Sequence, residues 1–474
     1  MVAGPAEQPI TTPGPLEPGP DKTPKSVLVI GGGAVGSLTA LKLGQAGVDV
    51  DIIERLPETS NAPRACGYFG AVHLVLKEMG IYELVREEGF MTRGLCFRKP
   101  PKDDGQGRGG KVFGDIVANL PFCAPDDHLL EPGAGVLNLP QAQLNQLFLR
   151  EALKTGHVRI HFNHELARIL KNDNDGVTVL TRNPSTGAER EFSAKFAVAA
   201  DGAHSAARKA LGLPYPGHTW PERLIATNVR VCNIEETPMH THFVMHPTHF
   251  SISTPLEDPV MGKKTLWRWT LAADPALDTC SDDELLTDEV IYAHYARCMP
   301  GPRPLDVDIV ARSVYRTHQR LVPTMRRGNV LLAGDAAHCN HPFGALGLNT
   351  GMLDADACAD ALTMILRDSF PTDLTLNTYS DARRKVFQFF VDPTSTQNKL
   401  RVHSHPIVET AAEDDWFLRD LTHLTPKKAA DMVTPYFDVW RTDMRKAVQE
   451  AIDDGCACGW HNIKSTSSVL VGDE

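Results

Sequence analysis

Gly31-Gly32-Gly33-Ala34-Val35-Gly36 satisfies the spacing G-x-G-x-x-G between an apolar run and a helical pattern. This spacing handles phosphate without any side chain. Gly31 permits a tight turn, Gly33 lets backbone approach a pyrophosphate at the positive end of a helix, and Gly36 lets helix and strand pack closely. Glu54 ends the next apolar run, where a carboxylate accepts the ribose hydroxyls of an adenosine. Much later, Leu331-Leu332-Ala333 leads into Gly334-Asp335-Ala336-Ala337-His338. Pro342, Gly344, Gly347 and Asn349 follow, and then a second helical pattern. An aspartate at such a point can accept a ribityl hydroxyl, and the helix start can stabilise negative charge on the pyrimidine edge of a reduced flavin. The first motif therefore reads as dinucleotide binding, and the second selects FAD over NAD. The bland alternatives are a ligand-free glycine-rich turn and a capped helix start with Asn349 as N-cap.

These residues need elements to hold them. The run 27–30 fits a strand buried on both faces, as in a parallel sheet. A helix is expected over 35–45 and a second strand over 48–53, which completes a βαβ opening. A helix near 141–153 precedes strands at 157–162 and 176–181, a turn at 183–187, and a buried strand at 196–200. Residues 220–275 change character. The runs 224–231, 240–253 and 265–272 are rich in β-branched and aromatic residues and predict an inserted antiparallel sheet. A strand at 330–333 and a long helix over 349–366 restore the α/β pattern, and 380–460 reads mostly as helix. The expected fold is α/β: a Rossmann-like FAD-binding domain with an inserted antiparallel-sheet substrate domain and a helical C-terminal region. Its parts are a disordered tail (1–25), three FAD-binding segments (26–98, 136–215, 311–395), a substrate-side segment and loop (99–135), the substrate sheet (216–310) and the C-terminal helices (396–474).

The 474 residues carry 48 Lys plus Arg against 59 Asp plus Glu, a formal charge of −11. That balance argues against a nucleic-acid partner. No apolar run reaches the roughly 20 residues needed to span a bilayer. The N-terminus lacks the apolar core of a signal peptide, and the cytoplasm is the expected compartment. The ten cysteines are scattered and read as reduced thiols. Cys456-x-Cys458 with His461 lacks a second cluster, so no metal is expected.

Ala200-Asp201-Gly202-Ala203-His204-Ser205-Ala206-Ala207-Arg208 is the third signal, directly after a buried strand. Together, in this order, the three motifs resemble the FAD-dependent aromatic hydroxylases of the para-hydroxybenzoate hydroxylase type. The resemblance runs from about residue 26 to 395. It implies that Arg64-Ala65 contacts the flavin, that Gln141 lies near the ribityl chain, and that Asp201-Gly202 serves both FAD and NAD(P)H. Arg55, Gly67, Leu348 and Asn349 complete the flavin-side set with Gly31, Gly33, Gly36, Glu54, Asp335 and Gly347. Gly217-His218-Thr219-Trp220-Pro221-Glu222-Arg223 resembles the fungal branch acting on phenols and hydroxybenzoates, some members of which release carbon dioxide. Three positions depart from the family: Ala345 stands where Gly is usual, and Ala357 and Asp360 where Asn and Trp are frequent. The thioredoxin-like extra domain of the larger phenol hydroxylases is not seen.

The resemblance implies non-covalent FAD reduced by NAD(P)H, O2 adding as a C4a-hydroperoxide, and oxygen transfer to an electron-rich ring. The partners are then a small aromatic substrate, O2 and NAD(P)H. The oligomeric state stays open, a homodimer among the options. A phenol reacts best when deprotonated, so the site needs a proton acceptor or relay. The candidates are Tyr68, as donor to a phenolate, and His249, preferred among His240, His242, His246 and His249. Arg230 is the candidate to hold a carboxylate. For each, a packing or surface role is the competing reading. Trp267-Arg268-Trp269 continues as Thr270-Leu271-Ala272, not as the Ile-Pro of the flavin-dependent halogenase box, and its tryptophans read as one strand face and a pocket wall. The other readings are a NAD-dependent dehydrogenase and a non-catalytic flavoprotein.

Overall fold

The computed structural model describes residues 25–62, 64–122, 134–233, 239–404 and 414–454. Residues 1–24 of the expected tail (1–25) and the Cys456, Cys458 and His461 group lie outside them, while Lys25 already opens the first strand. The strand Lys25–Ile30 runs parallel to Val50–Ile53 on one side and Glu189–Ala199 on the other. Val158–His161 extends this sheet beyond Val50–Ile53, and Val330–Leu332 lies parallel to the end of Glu189–Ala199. Gly176–Arg182 and Glu165–Asp173 add an antiparallel wing. Val27, Val29, Val50 and Ile52 are fully buried, as strands covered on both faces of a sheet are. The helix Ala34–Gln45 packs between Gln141–Lys154 and Leu346–Arg367. Its apolar residues surround it rather than forming one stripe, as a helix without a solvent face requires.

The second sheet runs, in order, His338–Cys339, Val307–Leu321, Gly217–Cys232, Lys264–Ala272, Ser251–Pro255, Thr241–Val244, Gly94–Arg98 and Ile116–Pro121. Three stretches assigned to the FAD-binding segments therefore belong here: Gly94–Arg98, most of Val307–Leu321, and His338–Cys339. The run 240–253 is two strands with a turn at 245–250. One face of the sheet packs Ile225, Trp267, Trp269 and Leu271 onto the helix Asp288–Cys298. The two tryptophans thus wall a separate core and not the flavin-side pocket. Strand alternation puts Arg268 and Thr270 on the opposite face.

The C-terminal helices are fastened by one buried polar network. Arg383 is fully buried and pairs through Nε with Asp354 Oδ1 at 2.7 Å. Its Nη1 donates to the Trp440 carbonyl at 2.7 Å and the Thr442 hydroxyl at 3.1 Å. Asp354 Oδ2 also accepts from the Gly334 N–H at 3.0 Å and sits 2.6 Å from His338 Nε2. This carboxylate connects the Gly334-Asp335 turn to the far end of the chain.

Candidate active site

Gly31 has φ +106°, and a Cβ there would lie 2.6 Å from the Ala200 carbonyl oxygen. A Cβ on Gly36 would lie 2.0 Å from the Gly31 carbonyl oxygen, so the turn closes only without side chains. A Cβ on Gly33 would meet nothing within 4 Å, which leaves an open cradle at the start of Ala34–Gln45. Glu54 braces the turn. Its Oε2 accepts from the Gly32 N–H at 2.7 Å and its Oε1 from the Leu56 N–H at 2.9 Å. Each oxygen keeps a lone pair for a ribose hydroxyl. Asn145, which the motif reading missed, donates from Nδ2 to the Gly32 carbonyl at 2.9 Å, and its buried Oδ1 has no partner among the described residues. Its signal was a polar side chain one turn after Gln141 on an otherwise buried helix.

Asp335 lies in a short 3-10 turn directly after Val330–Leu332. Burial pushes its carboxyl above the usual range, opposed by His338 and Arg64. Among the described residues, only its backbone carbonyl is hydrogen-bonded, by the Tyr215 hydroxyl at 2.8 Å. A half-buried carboxylate without a protein donor fits a hydroxyl-bearing chain such as the ribityl group of FAD. Asp201 Oδ2 accepts from the Ala207 N–H at 3.0 Å. Arg208 ties the two acidic loops together. Its guanidinium stacks 3.8 Å over Tyr215, and it donates to the Ala336 and Ala203 carbonyls at 3.0 and 2.8 Å.

Asn349 does not cap the helix Leu346–Arg367, whose N-cap is Ala345. It sits inside the first turn, buried, and donates from Nδ2 to the carbonyls of Gly67 at 2.9 Å and Ala345 at 2.7 Å. Its buried Oδ1 has no partner among the described residues. Gly347 and Leu348 are half-buried beside it. The Gln141 N–H donates to the Ala65 carbonyl at 2.9 Å, which sets the Arg64-Ala65 loop against the start of Gln141–Lys154. Arg64 and Arg55 are exposed. Arg268 was missed as a site residue, although a charged residue between two inward tryptophans has to face the other way. Its Nη1 donates to the Arg64 carbonyl and its Nε to Asn228 Oδ1 at 3.0 Å, which joins the second sheet to the flavin-side loop.

Two of the three candidates for proton or carboxylate chemistry are engaged elsewhere, and the third, His249, keeps its buried Nδ1 without a partner among the described residues. Tyr68 is fully buried and its hydroxyl donates to the Leu139 carbonyl at 3.0 Å, so its one proton is not available to a phenolate. Arg230 forms a two-pronged pair with Glu257 at 2.8 and 2.7 Å, which occupies the fork a substrate carboxylate would need. His249 lies in the turn after Thr241–Val244. Burial lowers its pKa, and its charged neighbours are Arg297, Asp274 and His294, at the edge of the separate core. His242 is buried and stacked 4.6 Å from Phe113, and burial holds it well below the usual histidine range.

A narrow pocket opens instead between the sheet, the flavin-side loop and the C-terminal helices. Leu95, Phe97, Leu120, Phe122 and Phe243 line one side, Gly344 contributes from the loop, and Asn398, Val402 and Tyr436 close it. Among the described residues no group of three or more His, Cys, Asp or Glu gathers as a metal would need, and no helix is long and apolar enough to cross a membrane.

A dinucleotide cradle, a donor-hungry aspartate and an apolar pocket beside the same loop define an FAD-dependent aromatic-ring monooxygenase. Residues 25–394 match the family described as FAD binding domain, and the chain belongs to that family of aromatic hydroxylases. It is 33% identical over 378 residues to a para-nitrophenol 4-monooxygenase of Pseudomonas sp. (strain WBC-3), covering 80% of this chain and 87% of that protein. It is 30% identical over 398 residues to a 6-hydroxy-3-succinoylpyridine 3-monooxygenase of Pseudomonas putida (strain DSM 28022 / S16), covering 82% and 91%. Among solved structures, a p-nitrophenol 4-monooxygenase from Pseudomonas putida DLL-E4 superposes with a TM-score of 0.70 at 30% identity, covering 91% of this chain and 97% of that one. The flavin-dependent monooxygenase PieE, solved with FAD and substrate, shares the fold at 22% identity with a TM-score of 0.70, covering 91% and 72%.

Proposed function

We propose that this chain inserts one oxygen atom into a single-ring phenol, with NAD(P)H as reductant and O2 as oxidant. The observation that carries the reading is the aromatic-lined pocket ending on Gly344, in the loop between Asp335 and the helix that holds Asn349. Its narrow, aromatic-lined shape suits one ring better than a fused polycycle. The para-nitrophenol monooxygenases among its relatives support the same size class. Bound FAD, held without a covalent bond, supplies the oxygen-activating chemistry. The chain's own residues do the rest. Asp335 orients the ribityl chain, the Gly33 cradle and the helix start accept the pyrophosphate, and the apolar walls exclude water from the reacting face.

The narrower hydroxybenzoate and decarboxylating readings rest on the run from Gly217 to Arg223. Its charged members have structural partners. Arg223 donates to the Cys280 and Leu277 carbonyls, both at 2.6 Å, and Glu222 pairs with Lys399 at 2.7 Å. With Arg230 also paired, simple phenols are favoured over carboxylated ones. A panel of phenols and hydroxybenzoates tests this by substrate-stimulated NAD(P)H oxidation and product mass. Mass separates gain of one oxygen from replacement of a ring substituent by hydroxyl. A flavin-loaded protein that no phenol stimulates contradicts the proposal.

A further inference from the structure

The family match stops at residue 394, yet three residues beyond it close the pocket. Asn398 and Val402 stand one turn apart on the helix Asp392–Val402, and Tyr436 comes from the short helix Pro435–Asp438. That first helix is firmly placed. Lys399 is buried and pairs with Glu222, and Arg401 pairs through Nε with Asp415 at 2.9 Å while stacking 4.1 Å over Phe417.

Arg401 also fixes the Asn398 amide. Its Nη1 donates to Asn398 Oδ1 at 2.9 Å, so the carbonyl end faces the guanidinium and the NH2 end turns the other way. The NH2 lies against Gly344, where a Cβ would come within 2.7 Å of Nδ2. Gly344 has φ +106°, so a side chain there would be strained and would collide with the amide. Among the described residues the Asn398 NH2 has no acceptor. Tyr436 is buried, its ring packed against Phe69, Phe122, Phe390 and Trp440, and its hydroxyl has no partner among the described residues. Burial pushes its pKa to about 12, with Arg401 opposing, so it stays protonated at neutral pH.

The pocket is thus apolar except for two unpaired donors, both from the C-terminal helices. We infer that Asn398 and Tyr436 are specificity-determining residues. They hold an oxygen-acceptor substituent of the ring, of the nitro or carbonyl class, and so select such phenols over alkylphenols of the same size. The inference rests on the monooxygenase reading above. A buried site built to hydrogen-bond a substrate group rejects an analogue without it, because its donors are left unpaired.

The test uses the full-length FAD-loaded protein with two probes, 4-nitrophenol and 4-methylphenol. Wild type should favour 4-nitrophenol in kcat/KM for stimulated NAD(P)H oxidation. Tyr436→Phe keeps the ring packing and removes only the donor. Asn398→Asp keeps the shape and replaces the NH2 donor by a carboxylate oxygen. Each should lower the ratio of the two kcat/KM values by roughly threefold to tenfold, as for loss of one hydrogen bond. The 4-methylphenol value should rise in Tyr436→Phe, which no longer leaves a hydroxyl unpaired against the methyl group, and the flavin content should hold in both variants. If Asn398→Asp does not load FAD, the Tyr436→Phe ratio decides. An unchanged ratio in the variants that load FAD overturns the inference, as does a wild type that prefers 4-methylphenol. Loss of both activities together in a flavin-loaded variant also overturns it, since that is not selectivity. If no phenol stimulates the wild type, the monooxygenase reading fails, and the inference with it.

Discussion

Asp354 and Asp335 are nineteen residues apart and show two opposite uses of a buried carboxylate. Burial raises the pKa of Asp354, but His338 and Arg383 outweigh it and hold the value at about 2. Its ionised form therefore contributes stability that is fully present above the unfolded carboxylate range near 4 and is lost as pH falls through about 2. Removing the charge leaves Arg383 buried and unpaired, which typically costs about 3–5 kcal/mol. Asp354→Asn should show that deficit against wild type in urea unfolding from pH 5 to 8, and the gap should narrow between pH 4 and 2. A gap that is constant down to pH 2 would mean that the charge is not what stabilises. Asp335 lacks such partners, and on the function proposed above its carboxylate faces the ribityl chain. A hydrogen bond to a charged group is worth about 1.5–3 kcal/mol, so Asp335→Ala should weaken FAD binding at least tenfold. Fluorescence titration of deflavinated protein with FAD measures it directly. An unaltered Kd removes Asp335 from the flavin site.

The helix Leu346–Arg367 starts badly for its length. Its N-cap is Ala345 at φ +54°, a left-handed conformation that costs an L-residue roughly 1–2 kcal/mol. Glycine, usual there in the resembling family, avoids the cost, and Ala345 is exposed, so substitution removes no packing. Ala345→Gly should stabilise by about 0.5–1 kcal/mol, seen as a rise in Tm, with FAD affinity held or improved. A lower Tm would show that the methyl group makes a contact that matters. At this scale the sequence was readable where one periodicity ruled. Residues 27–30, 34–45 and 141–154 form the strand and helices their patterns predict, because each is apolar with clear punctuation by Gly or Pro. The strand Val307–Leu321 was not readable. It carries five charged or histidine side chains on a largely half-exposed surface, and only pairing with Gly217–Cys232 identifies it. The helix Asp288–Cys298 was hidden for a related reason, since its apolar face matches a sheet rather than a regular stripe of its own.

For the molecule as a whole, the turns at the expected cofactor motifs were legible and the pocket was not. Gly31, Glu54, Asp201 and Asp335 announce themselves through local turns whose chemistry is contained within a few residues. The pocket joins three strands, the loop at Gly344 and two C-terminal helices, and no local pattern records that convergence. The same long-range wiring predicts that stability and cofactor binding fall together. Trp440 is fully buried, and its indole N–H donates to the Thr350 hydroxyl at 2.9 Å inside the helix that carries Asn349. Its carbonyl accepts from Arg383, which holds Asp354, which in turn accepts from the N–H of Gly334 beside Asp335. Trp440→Ala should therefore cost about 3–5 kcal/mol through the cavity alone. It should also lower the flavin-to-protein ratio after purification, although Trp440 lies far in sequence from every cofactor motif. Trp416, 53% exposed on a neighbouring helix, is the matched control, and Trp416→Ala should stay within about 0.5 kcal/mol of wild type with full flavin. Thermal melts with and without added FAD, together with flavin absorbance, read both effects. If Trp440→Ala melts lower yet retains flavin as well as wild type does, the network carries stability only, and the cofactor loops are held by the parallel sheet without help from the C-terminal helices.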